Sequence, residues 1–469
     1  MVNIKIHRGT SQIGGTITEI YTEKSHIFID FGSELMVNPE ESTDSKMIEM
    51  INNTECDAVL FSHYHGDHVG LLEHIPHKDI RGEVIKLGIG KVARKVLANI
   101  QSTLANDTSR PEEQQRHKRM LELLEDNNRW QDFMDALTKG NEDSSSFNIG
   151  DFHITTIRVD HSAYDSYMFV IEAEGKCIVH TGDFRTHGKL GEGFFDRLRQ
   201  FMNDKKVNVL LMEGTMLGRL DEEGMSEEQL QAEAIQYLLK PENKYAYLIC
   251  SSTNLESLAS FHSAVLIANK IKKKKGINED RGIYVNYYVK EQMDLFAKEE
   301  PKLTMEFRKA NKFEPKGKYN EKLGMTQEEK MEKHGFLCMI GTSDSYKKYI
   351  EPYREKNPLL IYSMWDGYVN PDKPETNDKK LKELYDSFPE GRRVKLHTSG
   401  HAVREALEEM IAVVNPSDAI IPMHTENKNK YELLKGIGDR RVCLEDGETY
   451  SLRDMKEKCY QRKEKLWPS

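Results

Sequence analysis

The pattern of apolar and polar positions divides the chain into two halves of different character, with the change at about residue 215. Met1-Val2-Asn3-Ile4-Lys5-Ile6 reads as a strand, and residues 2–35 read as strands joined by turns. Gly14-Gly15 marks one turn, and β-rich segments at 16–22 and 26–29 flank a Glu-Lys-Ser turn. Asp57-Ala58-Val59-Leu60-Phe61-Ser62 is a short apolar strand. Val92, Val96, Ile100 and Leu104 recur at helical spacing, and the charged stretch 112–138 continues that pattern. Residues 91–139 therefore read as an added helical arm, ending near a Ser-rich turn at 144–146. Following the metal-type motif described below, the arm is expected at the rim of a site, as a lid or contact surface. Strands are expected at 151–159, 166–173, 176–181 and 207–213.

Beyond residue 215, helical patterns at 226–239, 255–271, 288–299, 343–356 and 376–388 alternate with short strands. The strands fall at 245–250, 282–287, 336–340, 358–363 and 393–397. This alternation predicts βαβ units and a mostly parallel sheet. The tail, 402–451, reads as helix, strand (419–423), helix and two short strands. The basic run at 271–276 reads as a solvated helix end.

Composition changes this picture only modestly. The chain has 469 residues, 38% hydrophobic and 31% charged, with a mean hydropathy of −0.67. These are values of a charged globular protein with room for more than one core. The sequence has no apolar run long enough to span a bilayer and no signal-peptide pattern. Cys56, Cys177, Cys250, Cys338, Cys443 and Cys459 lack paired spacing. That pattern predicts free thiols and a cytoplasmic location. A net charge of −10 argues against nucleic-acid binding across the surface at large, but a local basic cleft or bound cations can reverse the field.

The candidate chemistry begins at His63-Tyr64-His65-Gly66-Asp67-His68, three imidazoles and a carboxylate directly after an apolar strand. Imidazole nitrogen and carboxylate oxygen suit zinc, manganese or iron. The alternating spacing lets His63 and His65 face one ion while Asp67 and His68 face another. Six residues cannot complete two sites. His161, Asp183 and His424 each sit just past a predicted strand, the placement required by a site at one edge of a sheet sandwich. Singly, each is equally well read as a structural residue.

This order of ligands resembles the metallo-β-lactamase fold. Ile29-Asp30-Phe31-Gly32 resembles that family's first motif, in which a buried Asp supports the site. The resemblance covers residues 1–214 and roughly 395–451, and it implies an α/β fold with an αββα sandwich. By resemblance, His63, His65 and His161 hold one metal, Asp67, His68 and His424 hold a second, and Asp183 bridges. The implied cofactors are two zinc ions, with manganese as the alternative. Such a pair shares a hydroxide that attacks phosphodiesters, thioesters, lactams or lactones alike, so the cradle alone does not name a substrate.

The stretch between Asp183 and His424 is domain-sized, and the clusters at its borders narrow the choice. Glu213 ends an apolar strand, and Thr398-Ser399-Gly400-His401-Ala402 lies between a strand and a helix. With His424 they resemble the β-CASP nucleases, and the Ser-Gly-His-Ala form is similar to ribonuclease J. The implied organisation is 1–214 and 395–469 as the sandwich, with 91–146 as its arm, and 215–394 as an inserted β-CASP domain. The implied catalytic set is Asp67, Asp183, Glu213 and His401. His401 acts as general acid, Glu213 orients it, and Ser399 and Gly400 hold a phosphate at a helix N-terminus. His at the last motif accords with RNA-directed members, so single-stranded RNA is the expected partner, with a homo-oligomer compatible and no membrane. A small-molecule hydrolase (lactone, thioester or cyclic nucleotide) and a single-stranded DNA nuclease are the alternatives.

Other features are less specific. Tyr362, Trp365 and Tyr368 read equally as base-stacking faces or core aromatics. Ser251-Ser252-Thr253-Asn254 resembles a β-CASP loop near the nucleic-acid path and reads nearly as well as a helix N-cap. The run 362–368 stands where ribonuclease J proteins carry Gly-Ser-Gln-Gly-Glu-Pro, so 5′-end recognition, exonuclease direction and dimer contacts are not inherited from the resemblance.

Overall fold

The computed structural model describes residues 1–452 apart from 36–40, 107–110, 139–144, 220–223, 278, 300–306, 308, 315–316, 322–323 and 374–375. Cys459 and parts of the expected arm and tail lie outside the described residues. The chain forms two compact units, one of Met1–Glu223 with Gly400–Ser469 and one of Gly224–Ser399.

The first unit contains strands β1 (Asn3–Arg8), β2 (Ile17–Tyr21), β3 (His26–Ile29), β4 (Ala58–Leu60), β5 (Lys86–Gly90), β6 (Trp130–Phe133), β7 (Ser146–Ile149), β8 (Phe152–Val159), β9 (Ser166–Ala173), β10 (Lys176–His180) and β11 (Val209–Glu213). Strands Ala419–Met423 and Thr449–Ser451 return to it after the second unit. One sheet runs Thr449–Ser451, β1, β2, β3, β4, β5, β6; the other runs Ala419–Met423, β11, β10, β9, β8, β7. Alternation sends Ile4, Ile6, Ile27, Ile29 and Leu60 inward from the first sheet. They share one core with Phe152, Ile154, Phe169, Ile171, Val209, Leu211 and Ile421 of the second. The opposite face of the second sheet presents Ile157, Val170, Val179, Leu210 and Ile420. These pack on Leu198 and Met202 of helix Phe194–Met202 and on Leu407, Met410 and Ile411 of helix Arg404–Val414.

In the second unit a six-stranded sheet has the order Asn311–Lys312, Gly282–Val285, Phe336–Met339, Tyr245–Cys250, Leu359–Ser363, Arg393–Lys395. Every pairing in it is parallel, as the alternation predicts.

Several sequence expectations are corrected. The helical arm stops at Glu125, after helices Lys91–Ala105 and Pro111–Glu125, and the chain re-enters the first sheet as β6, parallel to β5. Burial of Phe133 between the sheets, edge-on to Phe169, overrides the helical charge pattern there. The helix expected at 343–356 is a single turn, Lys347–Ile350, followed by the 3₁₀ turn Glu351–Lys356, whose proline denies the helix a donor. The last expected helix is a 3₁₀ turn, Lys428–Leu433. Buried Tyr431 pins it by donating its hydroxyl to the carbonyls of Met212 (2.5 Å) and Glu213 (2.6 Å). Of the two final strands only Thr449–Ser451 forms, with an isolated bridge at Arg441.

Candidate metal centre

Five strand ends supply the site. β4 runs through Phe61 and Ser62 into His63, and His65 caps the one-turn helix Gly66–Val69, which carries Asp67 and His68. His161 follows β8, Asp183 follows β10, Glu213 ends β11 and His424 follows Ala419–Met423. His401 precedes helix Arg404–Val414. The turn after β4 is held by backbone bonds from Phe31 to the His68 carbonyl (2.8 Å) and from Ser33 to that of Gly66 (3.1 Å). All nine side chains belong to the first compact unit.

Their ligand atoms converge in four groups: His63, His65 and His161; His63, His68 and Asp183; Asp67, His68 and His424; and Asp183, Glu213, His401 and His424. His65 Nδ1 lies 3.2 Å from Nε2 of His63 and 3.2 Å from Nε2 of His161. Asp183 Oδ2 lies 3.2 Å from His68 Nε2 and 3.9 Å from His63 Nε2. Asp67 Oδ2 lies 3.2 Å from His424 Nε2 and 3.7 Å from His68 Nε2. His401 Nδ1 lies 3.3 Å from either Glu213 oxygen and 3.6 Å from Asp183 Oδ2.

The hydrogen bonds around the rings decide whether this set fits a metal. His68 Nδ1 donates to Asp30 (2.7 Å) and His161 Nδ1 to the Gly400 carbonyl (2.5 Å). Ser62 gives its hydroxyl proton to Asp30 (2.8 Å), leaving its lone pair for His63 Nδ1 (3.0 Å). Thr215 gives its proton to the His424 carbonyl (3.3 Å) and accepts from His424 Nδ1 (2.8 Å). Each of the four rings thus carries its proton on Nδ1 and aims the Nε2 lone pair inward, the tautomer that outer partners impose on metal-binding histidines. Buried His68 Nε2 and Asp183 Oδ1 have no hydrogen-bond partner. Lone pairs and carboxylates meeting without intervening donors fit divalent cations, so these clusters can bind metal ions.

Electrostatics agrees with that reading. Burial, followed by the charge of neighbouring imidazoles, holds His63 and His161 below the ordinary histidine range. Burial lowers His65 to about 4. These rings are neutral and keep their lone pairs. For His68, burial pulls downward but Asp183, Asp30 and Asp67 outweigh it and raise it. The field that favours a proton there also favours a cation. Asp183 is held low by His424, His68 and His401 against the effect of burial. For His401 burial is outweighed by Glu213 and Asp183, which raise it to about 9.

With that geometry in view, comparison with known proteins is informative. A family model described as Anti-Pycsar protein Apyc1 matches residues 16–222. The chain is similar to Ribonuclease J of Helicobacter pylori (strain J99), 22% identical over 466 residues, which covers 94% of this chain and 59% of that protein. It is also similar to an RNase J-like protein of Methanocaldococcus jannaschii, 34% identical over 80 residues, or 17% of each chain. The likeness is to proteins named ribonuclease J, at low identity. The chain spans less than two thirds of the length of either relative. A solved protein of unknown function from Enterococcus faecalis V583 shares the fold, with a TM-score of 0.63, 20% identity, and coverage of 96% of this chain and 99% of that one.

The structure brings together all seven residues expected to hold metal, together with Glu213 and His401, and puts Asp30 behind His68. Two expectations are corrected at the phosphate-holding segment. Ser399 belongs to the second compact unit. Helix Arg404–Val414 starts beyond it, with Val403 at its N-cap. The Gly400 carbonyl faces His161, and a Cβ on Gly400 would lie 2.4 Å from Ser162 Oγ, so glycine is needed for the close approach. Ser62, Thr215 and the Gly400 carbonyl escaped the sequence reading as ring-orienting groups. Adjacency of Ser62 to His63 was the one available signal. Elsewhere, Asn254 caps helix Leu255–Lys274 by accepting from Ser257 N–H (3.2 Å), the ordinary role. Tyr362 is a core residue, and Lys272, within the basic run, is buried against Glu279.

Proposed function

We propose that this protein is a two-metal phosphodiesterase that hydrolyses single-stranded RNA. In this reading the metallo-β-lactamase-type sandwich (1–214 and 395–469) carries an inserted β-CASP domain (215–394). The observation that carries the reading is the Glu213–His401 pair set against Asp183 and His424, beside a complete imidazole cradle. The low-identity likeness to proteins named ribonuclease J supports it.

His63, His65 and His161 would hold one ion and Asp67, His68 and His424 the other, with Asp183 between them; zinc suits the donors and manganese is the alternative. When bound, the pair supplies Lewis acidity, lowering the pKa of a water and offsetting charge on phosphoryl oxygens.

The remaining work falls to the chain. Glu213 is fully buried and accepts from the backbone N–H groups of Phe184 (3.2 Å), Ala402 (3.2 Å) and Thr215 (3.1 Å), so its carboxylate is fixed in place. It turns Nδ1 of His401 toward itself and favours the charged ring, and the opposite nitrogen, Nε2, gives the proton to the leaving oxygen. The His401 side chain keeps 22% of its exposure, enough to meet a substrate, while Asp183 and Glu213 are sealed behind it.

The test is incubation of purified protein with labelled RNA and single-stranded DNA, with zinc or manganese. Cleavage of RNA is expected. Cleavage of neither polymer by protein with full metal content would sink the reading, and turnover of lactones, thioesters or cyclic nucleotides instead would replace it.

A further inference from the structure

Two charged side chains that the proposed reaction does not use lie fully buried beside it. Arg185 has 0% exposure and Asp160 has 1%. Arg185 Nε donates to Asp160 Oδ1 at 3.0 Å, and the Gly188 N–H donates to Asp160 Oδ2 at 2.7 Å. The backbones are joined as well: Arg185 N–H donates to the Asp160 carbonyl at 2.7 Å, and the two residues form an isolated antiparallel bridge. Asp160 immediately precedes His161, and Arg185 stands two residues after Asp183.

A buried ion pair adds little net stability, because desolvating both charges offsets their attraction. What it adds is geometry, since a guanidinium and a carboxylate in contact allow little freedom of angle or distance. Here that constraint falls between the loop after β8 and the loop after β10. Each loop carries one metal-type ligand on a residue next to, or nearly next to, the pair. The ligands outside these loops are anchored differently: His68 through Asp30, His63 through Ser62 and His424 through Thr215.

We propose that Asp160 and Arg185 are a positioning pair, locking His161 to Asp183 and setting the affinity of the ion held by His63, His65 and His161. This rests on the two-metal reading above. The ion held by Asp67, His68 and His424 depends on the locked loops only through Asp183, so it responds far less. Loosening the pair thereby separates the two ions energetically and turns joint loading into stepwise loading.

The experiment titrates metal-stripped protein with zinc against a chromophoric chelator and records the visible spectrum of the cobalt(II) form. It uses wild type, Arg185→Met, Asp160→Asn and the double variant Asp160→Asn/Arg185→Met. The double variant removes both charges of the pair together and keeps the test open where a single variant fails to fold. Leu198→Ala, a core truncation distant in role, controls for general destabilisation. Wild type is expected to bind two ions. In the variants one ion should weaken ~10–100-fold, the range seen when outer partners of a metal ligand are lost, while the other shifts by less than about threefold. The cobalt spectrum should change and the far-UV circular dichroism should not. Equal affinities and an unchanged spectrum would overturn the proposal, as would equal weakening of both ions or the same pattern in Leu198→Ala. A wild-type protein that binds no metal would overturn the two-metal reading itself.

Discussion

Asp30→Asn isolates the contribution of one buried carboxylate to the whole centre. Asp30 sits at φ 60°, a left-handed conformation that asparagine also tolerates, so the exchange leaves the backbone unstrained. In the native protein it accepts from the Ser62 N–H (2.7 Å), the Ser62 hydroxyl (2.8 Å) and His68 Nδ1 (2.7 Å). Asparagine keeps an oxygen for the Ser62 N–H but turns an NH₂ toward the other two donors. Losing two hydrogen bonds to a charged group, at about 1.5–3 kcal/mol each, sets an upper range of about 3–6 kcal/mol. The asparagine NH₂ can instead donate to the Ser62 oxygen, so the expected loss is about 3 kcal/mol. Deprived of its acceptor, His68 moves its proton to Nε2, which blocks the lone pair facing Asp67 and Asp183. Metal affinity should then fall by ~10–100-fold in addition to the stability loss. Urea unfolding with chelator present measures the first effect, and metal competition titration measures the second. A variant within 0.5 kcal/mol of wild type (roughly the margin for a surface exchange) and with native metal affinity would refute the assigned tautomer and the role of Asp30.

Three further outcomes are expected. His401→Ala should lower kcat by ~10²–10⁴ with metal content unchanged; an unaltered rate on RNA would remove His401 as the acid. Burial alone would raise Glu19, but hydrogen bonds from His26 (2.9 Å) and His7 (2.8 Å) and their charges hold it at about 2, against 4.5 for a free glutamate. A carboxyl lowered in the folded state stabilises it above the unfolded value and loses that contribution as pH falls from about 4.5 to about 2. The difference corresponds to about 3 kcal/mol, so in chelator the urea-unfolding gap between wild type and Glu19→Gln should narrow between pH 6 and pH 3; a constant gap would contradict the coupling. Gly182 has φ 55°, and an added Cβ would lie 2.8 Å from Ser62 Cβ and 2.9 Å from the Tyr167 carbonyl. Gly182→Ala should therefore cost about 2 kcal/mol or more in thermal unfolding and weaken metal binding through Asp183; a neutral effect on both would show that this loop yields freely.

The elements legible in the sequence were those whose signal is local. The strand before His63 and the single ligands past β8, β10 and Ala419–Met423 announce themselves by apolar runs followed by His or Asp. The alternating strands and helices of the second unit do so by period. What was misread depends on contacts far along the chain. β6 looks helical because Asp132 and Asp135 continue a charged pattern, and only the partners waiting for Phe133 make it a strand. Around the 428–433 segment Tyr431 and Leu434 stand at helical spacing, yet the Tyr431 hydroxyl finds its acceptors on β11 and holds a tighter turn. Ser399-Gly400 looked like a helix start because glycine and serine favour caps, whereas Gly400 serves close packing against Ser162 and His161. The orienting groups Ser62 and Thr215 are ordinary residue types, and nothing but geometry distinguishes them from any other hydroxyl.

The pairing of β11 with Ala419–Met423, in register from Val209 opposite Ala419, spans the whole of the second unit. It has a consequence for the newborn chain. Residues 63, 65 and 161 emerge early and can meet as soon as the first sheets close, whereas His401 and His424 appear 218 and 241 residues after Asp183, on the order of ten to fifty seconds later at ~5–20 residues per second. During that interval the second sheet lacks its edge strand, and β11, buried at every position in the finished protein, stands as an open edge. A ribosome that stalls within the second unit would release a chain with half a cradle and an exposed strand, able to capture an ion but unable to seal it. Completion of the centre and protection of that edge are therefore a single late event in synthesis.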